Sequence, residues 1–313
     1  ISVKSVEELT EVIQQNHGKK LFILGGGSNM LLTKNIEALV IHVDIKGIEV
    51  VWQDDATVHI KAMAGENWHG FVQHCINQNY GGIENLSLIP GNVGTTPIQN
   101  IGAYGTEIKD TVVSCEALEI ATQQQKTFTN DECKFAYRES IFKNAFKGHY
   151  IITSVTFRLT KKDHKINTSY GDIAAELTAK GIAIPTIAAV GNAITAIRQS
   201  KLPDPKELGN SGSFFKNPII TIEQFEKLYL LHPQMPHYTL NDTEVKVPAG
   251  WLIEQCGFKG KRFGDAGVHA RQALVIVNYG KATGQELLDL SKNIQKTVFD
   301  TFGIEIEAEV NVI

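Results

Sequence analysis

The sequence lacks a long hydrophobic run and carries little net charge. Its longest weakly polar stretch, residues 182–197, is interrupted by polar side chains, and it falls short of the ~20 apolar residues that a membrane-spanning helix needs. A formal net charge of −4 provides no basic field of the kind that favours nucleic acids or anionic membranes. We therefore expect neither a membrane span nor a nucleic-acid partner.

Cysteine is also scarce, and its spacing argues against structural metal sites and disulfides. The four cysteines lie far apart, and no Cys-x-x-Cys or His-x-x-x-His pair occurs. We expect no metal site. Scattered reduced thiols, with no charged-then-apolar leader visible at Ile1, predict a cytoplasmic protein.

The length and composition are those of a folded protein with more than one domain. A chain of 313 residues allows two or three domains of ~100–200 residues each. The hydrophobic fraction of 42% and the charged fraction of 20% exclude whole-chain disorder, collagen and coiled coil.

Periodicity and capping residues predict a mixture of helices and strands. The predicted helices run from Ser5 to Gln15 and from Trp68 to Gly81, two lie within residues 172–201, and three more begin near Thr221, Pro248 and Thr283. The predicted strands are Lys20–Leu24, Ala38–Val43, Ile48–Trp52, Thr57–Ala62, Val112–Ile120, His149–Leu159, Ala273–Val277 and Ile304–Ile313.

Two glycine-rich segments are candidate binding loops. Gly25-Gly26-Gly27-Ser28-Asn29 follows a predicted strand, where backbone N–H groups can converge on phosphate oxygens; an ordinary tight turn is the alternative. A dinucleotide fingerprint of the G-x-G-x-x-G type is excluded, because residue 30 is methionine and strands follow instead of a helix. The nearly uncharged loop 87–105, with four glycines, allows close backbone approach to a ligand.

Several further motifs occur in a fixed order with these loops. They are Tyr137-Arg138-Glu139-Ser140, Leu202-Pro203-Asp204-Pro205-Lys206, Gly212-Ser213-Phe214-Phe215-Lys216-Asn217-Pro218, Ala249-Gly250-Trp251, Val268-His269 with Gln272-Ala273, and Glu307-Ala308-Glu309-Val310. In this order the set resembles the UDP-N-acetylenolpyruvoylglucosamine reductase family over nearly the whole chain. The segment 168–201 resembles the longer family type, whose tyrosine-bearing loop folds over the substrate.

The resemblance implies a fold and a domain plan. It implies an α+β protein with a two-lobed FAD-binding domain of the vanillyl-alcohol-oxidase/p-cresol-methylhydroxylase type and a C-terminal α+β substrate domain. The expected divisions are lobe 1 at 1–50, lobe 2 with the substrate loop at 51–202, a substrate domain at 203–303 and a terminal strand at 304–313.

The resemblance also implies an activity. It is the NADPH-dependent reduction of UDP-N-acetylglucosamine enolpyruvate to UDP-N-acetylmuramate, a step in peptidoglycan precursor synthesis, with FAD as cofactor and NADPH as hydride-donating co-substrate. We expect a monomer. Two alternatives stay open: another FAD-dependent oxidase or dehydrogenase of the same fold, and a non-catalytic nucleotide-binding module.

Site residues follow from matching each motif to the family. The implied catalytic residues are Ser213 as proton donor, Glu309 as second acid and Arg138 as the partner of the substrate carboxylate. The implied FAD-binding residues are Gly25, Gly26, Gly27, Ser28, Asn29, Gly91, Val93, Gly94, Asn100, Gly102, Ala103 and Gly105. The implied contacts to substrate or nicotinamide nucleotide are Tyr170, Lys201, Asn217 and Gln272. Without the resemblance, Glu309 would be read as a solvated strand residue, Ser213 as a turn residue and Arg138 as half of a surface ion pair.

Overall fold

The computed structural model describes every residue from Ile1 to Ile313, and helices and strands are mixed along the chain. The helices are α1 (Val6–Gln15), α2 (Trp68–Asn77), α3 (Ile173–Ala179), α4 (Ile187–Lys201), α5 (Ile222–Leu231), α6 (Ala249–Gln255) and α7 (Gly284–Phe302). The predicted mixed α and β content is confirmed. No helix has the length and apolar character needed to cross a membrane.

The strands are short in many places and are numbered in chain order. They are β1 (Ser2–Val3), β2 (Leu21–Leu24), β3 (Met30–Leu31), β4 (Leu39–Val43), β5 (Ile48–Gln53), β6 (Thr57–Met63), β7 (Gly102–Ala103), β8 (Thr106–Glu107), β9 (Val112–Glu119), β10 (Gln125–Thr129), β11 (Tyr150–Thr160), β12 (Gly209–Ser213), β13 (Ile219–Thr221), β14 (Tyr238–Thr239), β15 (Glu244–Lys246), β16 (Arg262–Phe263), β17 (Ala266–Val268), β18 (Val275–Asn278) and β19 (Asn311–Val312).

The chain divides into two compact units. The first contains residues 1–27 and 36–198, and the second contains residues 28–35 and 199–313. A short N-terminal segment is therefore part of the second unit, although more than 160 residues of the first unit separate it in sequence from the rest of that unit.

The first unit contains two sheets. A parallel sheet has the order β1-β4-β2, and an antiparallel sheet has the order β10-β9-β11-β6-β5. In β6 every second side chain is buried, as expected where one face of a strand packs on a core. The long strand β11 is buried over most of its length because β9 and β6 flank it on both sides.

The second unit is built around one hydrophobic core. Its largest sheet is antiparallel, with the order β12-β18-β17-β16. More than half of the core residues come from α5, α6, α7, β13, β15, β17 and β18, and α7 contributes Leu290, Ile294, Val298 and Phe302. Leu31 of β3 belongs to the same core and is 7% exposed. The segment 28–35 is thus anchored by apolar burial as well as by hydrogen bonds.

Local signals predicted the helix ends with mixed success. Ser5 caps α1, with its side chain accepting from Glu8 N at 3.1 Å, but the Glu8 carboxylate accepts from Lys4 N, so the full capping box expected there does not form. Thr283 and Glu286 form the complete box at α7, and Gly303 ends that helix with φ 64°. The prediction that α2 reaches Gly81 was wrong; it ends at Asn77, and Asn79 adopts φ 58°.

The strand predicted over Ile304–Ile313 was too long. Only Asn311–Val312 forms a strand, paired in parallel with Met30–Leu31. The alternation itself is real, since Ile304 and Ile306 are buried between exposed neighbours. The alternating pattern reflects which side chains are buried and does not indicate a continuous ladder of strand hydrogen bonds. Residues 304–310 pair with the segment of Phe215 through one isolated bridge, Phe215 to Ala308. The strands β1, β3, β7, β8, β10 and β12 to β17 were not predicted.

A glycine at the start of α7 allows the segment 28–35 to pack against that helix. A Cβ added at Gly284 would lie 1.8 Å from the carbonyl oxygen of Leu32 and 2.9 Å from Thr33 Cα. Both contacts are to backbone atoms, so no flexible side chain can move aside. We expect Gly284→Ala to destabilise the protein by about 2–3 kcal/mol through overpacking.

Chemical denaturation followed by circular dichroism tests this expectation. The matched control is Gly209→Ala in the same unit, where the nearest atom to an added Cβ is 3.5 Å away. The interpretation is wrong if Gly284→Ala and Gly209→Ala unfold at the same denaturant concentration.

Candidate functional site

The first glycine loop lies at the carboxyl ends of parallel strands. Strand β2 runs directly into Gly25, and its last residue, Leu24, stands opposite His42 of β4. Ligands in open parallel sheets bind at this end of the strands. A cleft of about 620 Å³ occurs there, lined by Leu24, Gly25, Gly26, Gly27, His42, Asp44, Lys46 and Asn92.

The glycines of this loop allow backbone approach that larger residues would block. A Cβ at Gly25 would lie 2.7 Å from the Thr95 methyl group, and one at Gly26 would lie 3.0 Å from both Asn92 Oδ1 and Gly91 Cα. Gly27 adopts φ +65°. The loop therefore fits a diphosphate bound through backbone N–H groups, which is the part of FAD that a glycine cradle holds.

The second glycine loop is fixed close to the first within the same unit. Gly94 N donates to Ala64 O at 2.9 Å, and Val93 N donates to Glu66 O at 2.8 Å. A Cβ at Gly94 would lie 2.5 Å from Ala64 Cβ. Because Asn92 lines the cleft beside Gly26, the two loops that the sequence singled out contribute to one site.

Asn100 has a structural role in this loop. Its side chain is fully buried, its Nδ2 donates to Glu107 Oε2 at 3.0 Å and to Ala136 O at 2.9 Å, and its Oδ1 accepts from Lys109 N at 3.2 Å. The amide is therefore committed to the protein, and Asn100 can reach a cofactor only through its backbone.

Arg138 lies beside the same loop. Its Nη2 donates to Gly102 O at 2.8 Å, and a Cβ at Gly102 would lie 3.3 Å from its Nη1. Arg138 adopts φ 57°, which is costly for a residue with a Cβ and is typical of functional positions. Its guanidinium also lies over the Tyr137 ring, 5.3 Å from the centroid.

A tight turn places a tyrosine between the glycine loop and the segment that contains Tyr170. Strands β7 and β8 are joined by Tyr104 and Gly105, which both have positive φ. The Tyr104 ring packs edge-on to the Tyr170 ring, with centroids 6.3 Å apart. The buried Asn85 donates from Nδ2 to both Tyr104 O and Asn167 O at 3.0 Å, so it joins the two segments directly.

A half-buried cation, Arg198, supports this cluster from α4. Arg198 Nε donates to Leu88 O at 3.2 Å, and burial lowers the pKa of its guanidinium while Tyr104 opposes that shift. Leu88 N in turn donates to His69 Nδ1 at 2.9 Å. Burial, together with the Arg198 charge, lowers the pKa of His69, which favours the neutral imidazole that this acceptor role requires.

In the second unit, backbone pairing brings Ser213 and Glu309 together. Ser213 ends β12 opposite Val275 of β18. On its other side the chain meets the terminal segment, where Glu309 N donates to Phe214 O at 2.8 Å and Lys216 N donates to Glu307 O at 2.9 Å. Ser213 is therefore one residue away from the partner of Glu309. Ser213 is exposed and Glu309 is half-buried.

Asn217 and Gln272 meet at the start of α6. Asn217 Oδ1 accepts from Ala249 N at 2.9 Å, so only its Nδ2 can serve a ligand. Gln272 Oε1 accepts from Leu274 N at 3.3 Å and lies 3.3 Å from where a Cβ at Gly250 would be. Since Phe214 N donates to Leu274 O at 2.8 Å, both side chains belong to the neighbourhood of Ser213.

The remaining predicted residues divide between the two units. Gly91, Ala103, Gly105, Arg138 and Tyr170 belong to the first unit, whereas Ser28, Asn29 and Lys201 belong to the second. Lys201 is the exposed last residue of α4.

Sequence reasoning missed His42, Asp44, Lys46 and Asn92 around the cleft, and Tyr104 beside Tyr170. The pairing of His42 with Leu24 follows from strand register, for which the sequence carries no local signal.

Comparison with known proteins shows which families and which fold the chain resembles. Residues 1–127 match the family model of an FAD binding domain, and residues 204–313 match the C-terminal domain of UDP-N-acetylenolpyruvoylglucosamine reductase. The fold is similar to that of the Thermus caldophilus enzyme of that name, with a TM-score of 0.66 at 22% identity over 99% of this chain and 90% of the other.

Curated relatives with the same name match over most or all of the chain. The Flavobacterium johnsoniae protein is 67% identical over 313 residues, which are 100% of this chain and 93% of the relative. The Chromobacterium violaceum protein is 52% identical over 91% of this chain and 84% of the relative. The chain belongs to the UDP-N-acetylenolpyruvoylglucosamine reductase family.

Proposed function

We propose that this chain reduces UDP-N-acetylglucosamine enolpyruvate to UDP-N-acetylmuramate with NADPH, and we assign a role in that reaction to each part of the site. As a member of its family, the chain is an FAD-containing oxidoreductase of peptidoglycan precursor synthesis. The observation that carries the assignment is the hydrogen bond from Glu309 N to Phe214 O, which brings the segments that contain Ser213 and Glu309 side by side.

The glycine loops hold the cofactor. Gly25, Gly26, Gly27, Ser28 and Asn29 contact the diphosphate through their backbone, and Gly91, Val93, Gly94, Asn100, Gly102, Ala103 and Gly105 line the rest of the binding surface. His42, Lys46 and Asn92 add polar groups around the cleft. When bound there, FAD would supply the hydride-transfer chemistry between NADPH and the methylene carbon of the enolpyruvyl group.

The second unit supplies the proton that must reach the neighbouring carbon, which bears a carboxylate. Ser213 Oγ donates this proton, and Glu309 acts as the second acid. Arg138 pairs with the substrate carboxylate and disperses the negative charge that develops next to it. A serine is a weak acid in water, so its reactivity here depends on positioning and on stabilisation of the alkoxide, to which the Lys216 ammonium contributes.

The remaining predicted residues bind rather than react. Tyr170, which Tyr104 and Asn85 hold in place, covers the sugar nucleotide, and Lys201 contacts a phosphate. Asn217 Nδ2 and the Gln272 amide contact the enolpyruvyl carboxylate or the nicotinamide nucleotide. On this assignment, residues 1–50 and 51–202 act as the two lobes around FAD, residues 203–303 bind substrate, and residues 304–313 carry Glu309.

We also propose that the enzyme is a cytoplasmic monomer. Every proposed catalytic group comes from one chain, and the four cysteines are free thiols, as a reducing compartment requires. Light scattering of the purified protein tests whether it is a monomer. The location of a fluorescent fusion in the cell tests whether it is cytoplasmic.

Substitution of Gly26 tests the cofactor loop. Gly26→Val places a branched side chain against Asn92 and Gly91, so we expect FAD affinity to fall by about 10- to 100-fold, the range that overpacking of 1–3 kcal/mol produces. Flavin absorbance after dialysis measures occupancy. Gly70→Ala, in the open first turn of α2, is the control and should stay fully yellow. Full occupancy in Gly26→Val would place the diphosphate elsewhere.

Substitution of Ser213 separates the two half-reactions. Ser213→Ala removes the proposed proton donor, so flavin bleaching by NADPH should be nearly unchanged, whereas reoxidation by the enolpyruvyl nucleotide should slow by ~10²–10⁴-fold. This corresponds to about 3–5 kcal/mol of barrier. Rapid-mixing absorbance spectroscopy measures both rates.

Ser213→Cys should recover part of the lost rate, because a thiol can donate a proton from nearly the same place. Reoxidation of Ser213→Ala at the wild-type rate, or loss of flavin reduction in its place, would remove Ser213 from the mechanism. NADPH-dependent formation of UDP-N-acetylmuramate, detected by mass spectrometry, tests the overall activity.

Lys201 should affect binding alone. Hydrogen bonds to charged groups contribute about 1.5–3 kcal/mol, so Lys201→Ala should raise the Michaelis constant of NADPH or of the sugar nucleotide by about 10- to 100-fold. The turnover number should change little. Lys292→Ala, on the exposed face of α7, is the matched control. A collapse in turnover at unchanged Michaelis constants would instead make Lys201 catalytic.

A further inference from the structure

Three hydrogen bonds join Asn29 to Glu309 and Asn311. Asn311 donates twice to Asn29 O, from its backbone N at 3.2 Å and from its Nδ2 at 2.9 Å. Asn29 Nδ2 donates back to Glu309 O at 3.4 Å. The last residue of the glycine loop is therefore joined to both sides of the Glu309–Asn311 turn.

Two further bonds extend this set to the strand of Ser213. Met30, which follows Asn29, accepts from Ser211 Oγ at 2.7 Å. Glu309 N donates to Phe214 O at 2.8 Å. One short segment of the chain, residues 29–30, thus contacts the two segments that carry Ser213 and Glu309.

Asn311 is exposed, and its side chain makes one hydrogen bond, to Asn29 O. An exposed asparagine whose side chain donates one hydrogen bond to one loop carbonyl contributes little to the free energy of unfolding. We expect Asn311 to affect where the glycine loop lies relative to Glu309, because Asn311 connects these two segments.

We propose that Asn311 is a positioning residue that couples cofactor binding at the glycine loop to the placement of Glu309. The inference rests on the proposed roles of Asn29 and Glu309. A diphosphate held by the loop restrains Asn29, and Asn29 restrains the backbone at Glu309 and Asn311. Coupling between two sites is reciprocal, so the placement of the terminal segment must also influence FAD affinity.

Hydrogen exchange measured by mass spectrometry tests this coupling in the full chain. The amides of Glu309, Asn311 and Ile313 each donate to a neighbouring carbonyl, so their exchange reports the order of this segment. We expect the FAD-loaded wild-type protein to exchange more slowly over residues 309–313 than the same protein stripped of FAD.

The variant Asn311→Ala should lose a large part of that difference. One hydrogen bond contributes two- to tenfold to an equilibrium, so the FAD dissociation constant should rise by about that factor, and the protection that FAD confers on residues 309–313 should fall by the same factor. Reoxidation by the enolpyruvyl nucleotide should slow, with flavin reduction by NADPH and the Michaelis constants unchanged.

Three companion variants make the result specific. Asn311→Ser keeps a hydroxyl donor and should recover part of the loss, whereas Asn311→Asp has a similar shape without the Nδ2 donor and should behave like Asn311→Ala. Asn293→Ala, an exposed asparagine on α7, should match the wild type in FAD affinity and exchange.

The proposal is overturned if FAD leaves the exchange of residues 309–313 unchanged in the wild type, or if Asn311→Ala keeps the wild-type FAD affinity and protection. Failure of the proposed catalytic roles would look different. Glu309→Gln would then reoxidise at the wild-type rate, while FAD-dependent protection of residues 309–313 persisted.

Discussion

The parallel pairing of Met30–Leu31 with Asn311–Val312 is the constraint on which the site depends. Because of this pairing, residues 28–35 belong to the second unit, although the residues on both sides of them in sequence belong to the first. Burial of Leu31, the contact of Leu32 O with Gly284, and the bonds of Thr33 N and Oγ1 to Ile313 O at 2.8 and 2.7 Å hold the segment in place. Since the glycine loop leads directly into this pair of strands, the loop ends at a fixed point.

On the proposed assignment, this arrangement helps a weak acid, the Ser213 hydroxyl, to act as a proton donor. Ser213 and Glu309 belong to segments that are bonded to each other and to residues 29–30, so their backbones are positioned by several hydrogen bonds rather than by a flexible loop. Rigid placement of reacting groups lowers a barrier by supplying the orientation in advance. In the first unit the same principle applies to Arg138, which is held against Gly102 in a strained conformation.

Sequence patterns predicted features whose causes are local. The caps of α1 and α7, the alternation of β6 and the glycines of both loops all depend on residues within a few positions of one another. They did not predict β3, because a two-residue strand is defined only by a partner 280 residues away. Nor could they show that the Asn100 amide is consumed by Glu107 and Ala136, which requires the packed loop. The motifs indicated the candidate site residues. Which of these residues lie near one another depends on the strand register, which the motifs do not contain.

The distance in sequence between the two halves of this strand pair also has a consequence for biosynthesis. A ribosome delivers residues 30 and 31 early, but their partners at 311 and 312 emerge only after almost all of this chain has been made. Until then the end of the glycine loop has no strand to pair with, and contacts between segments so far apart form slowly because of the loop entropy that they must overcome. The end of the glycine loop is therefore expected to reach its final place late in synthesis, after residues 311 and 312 have left the ribosome.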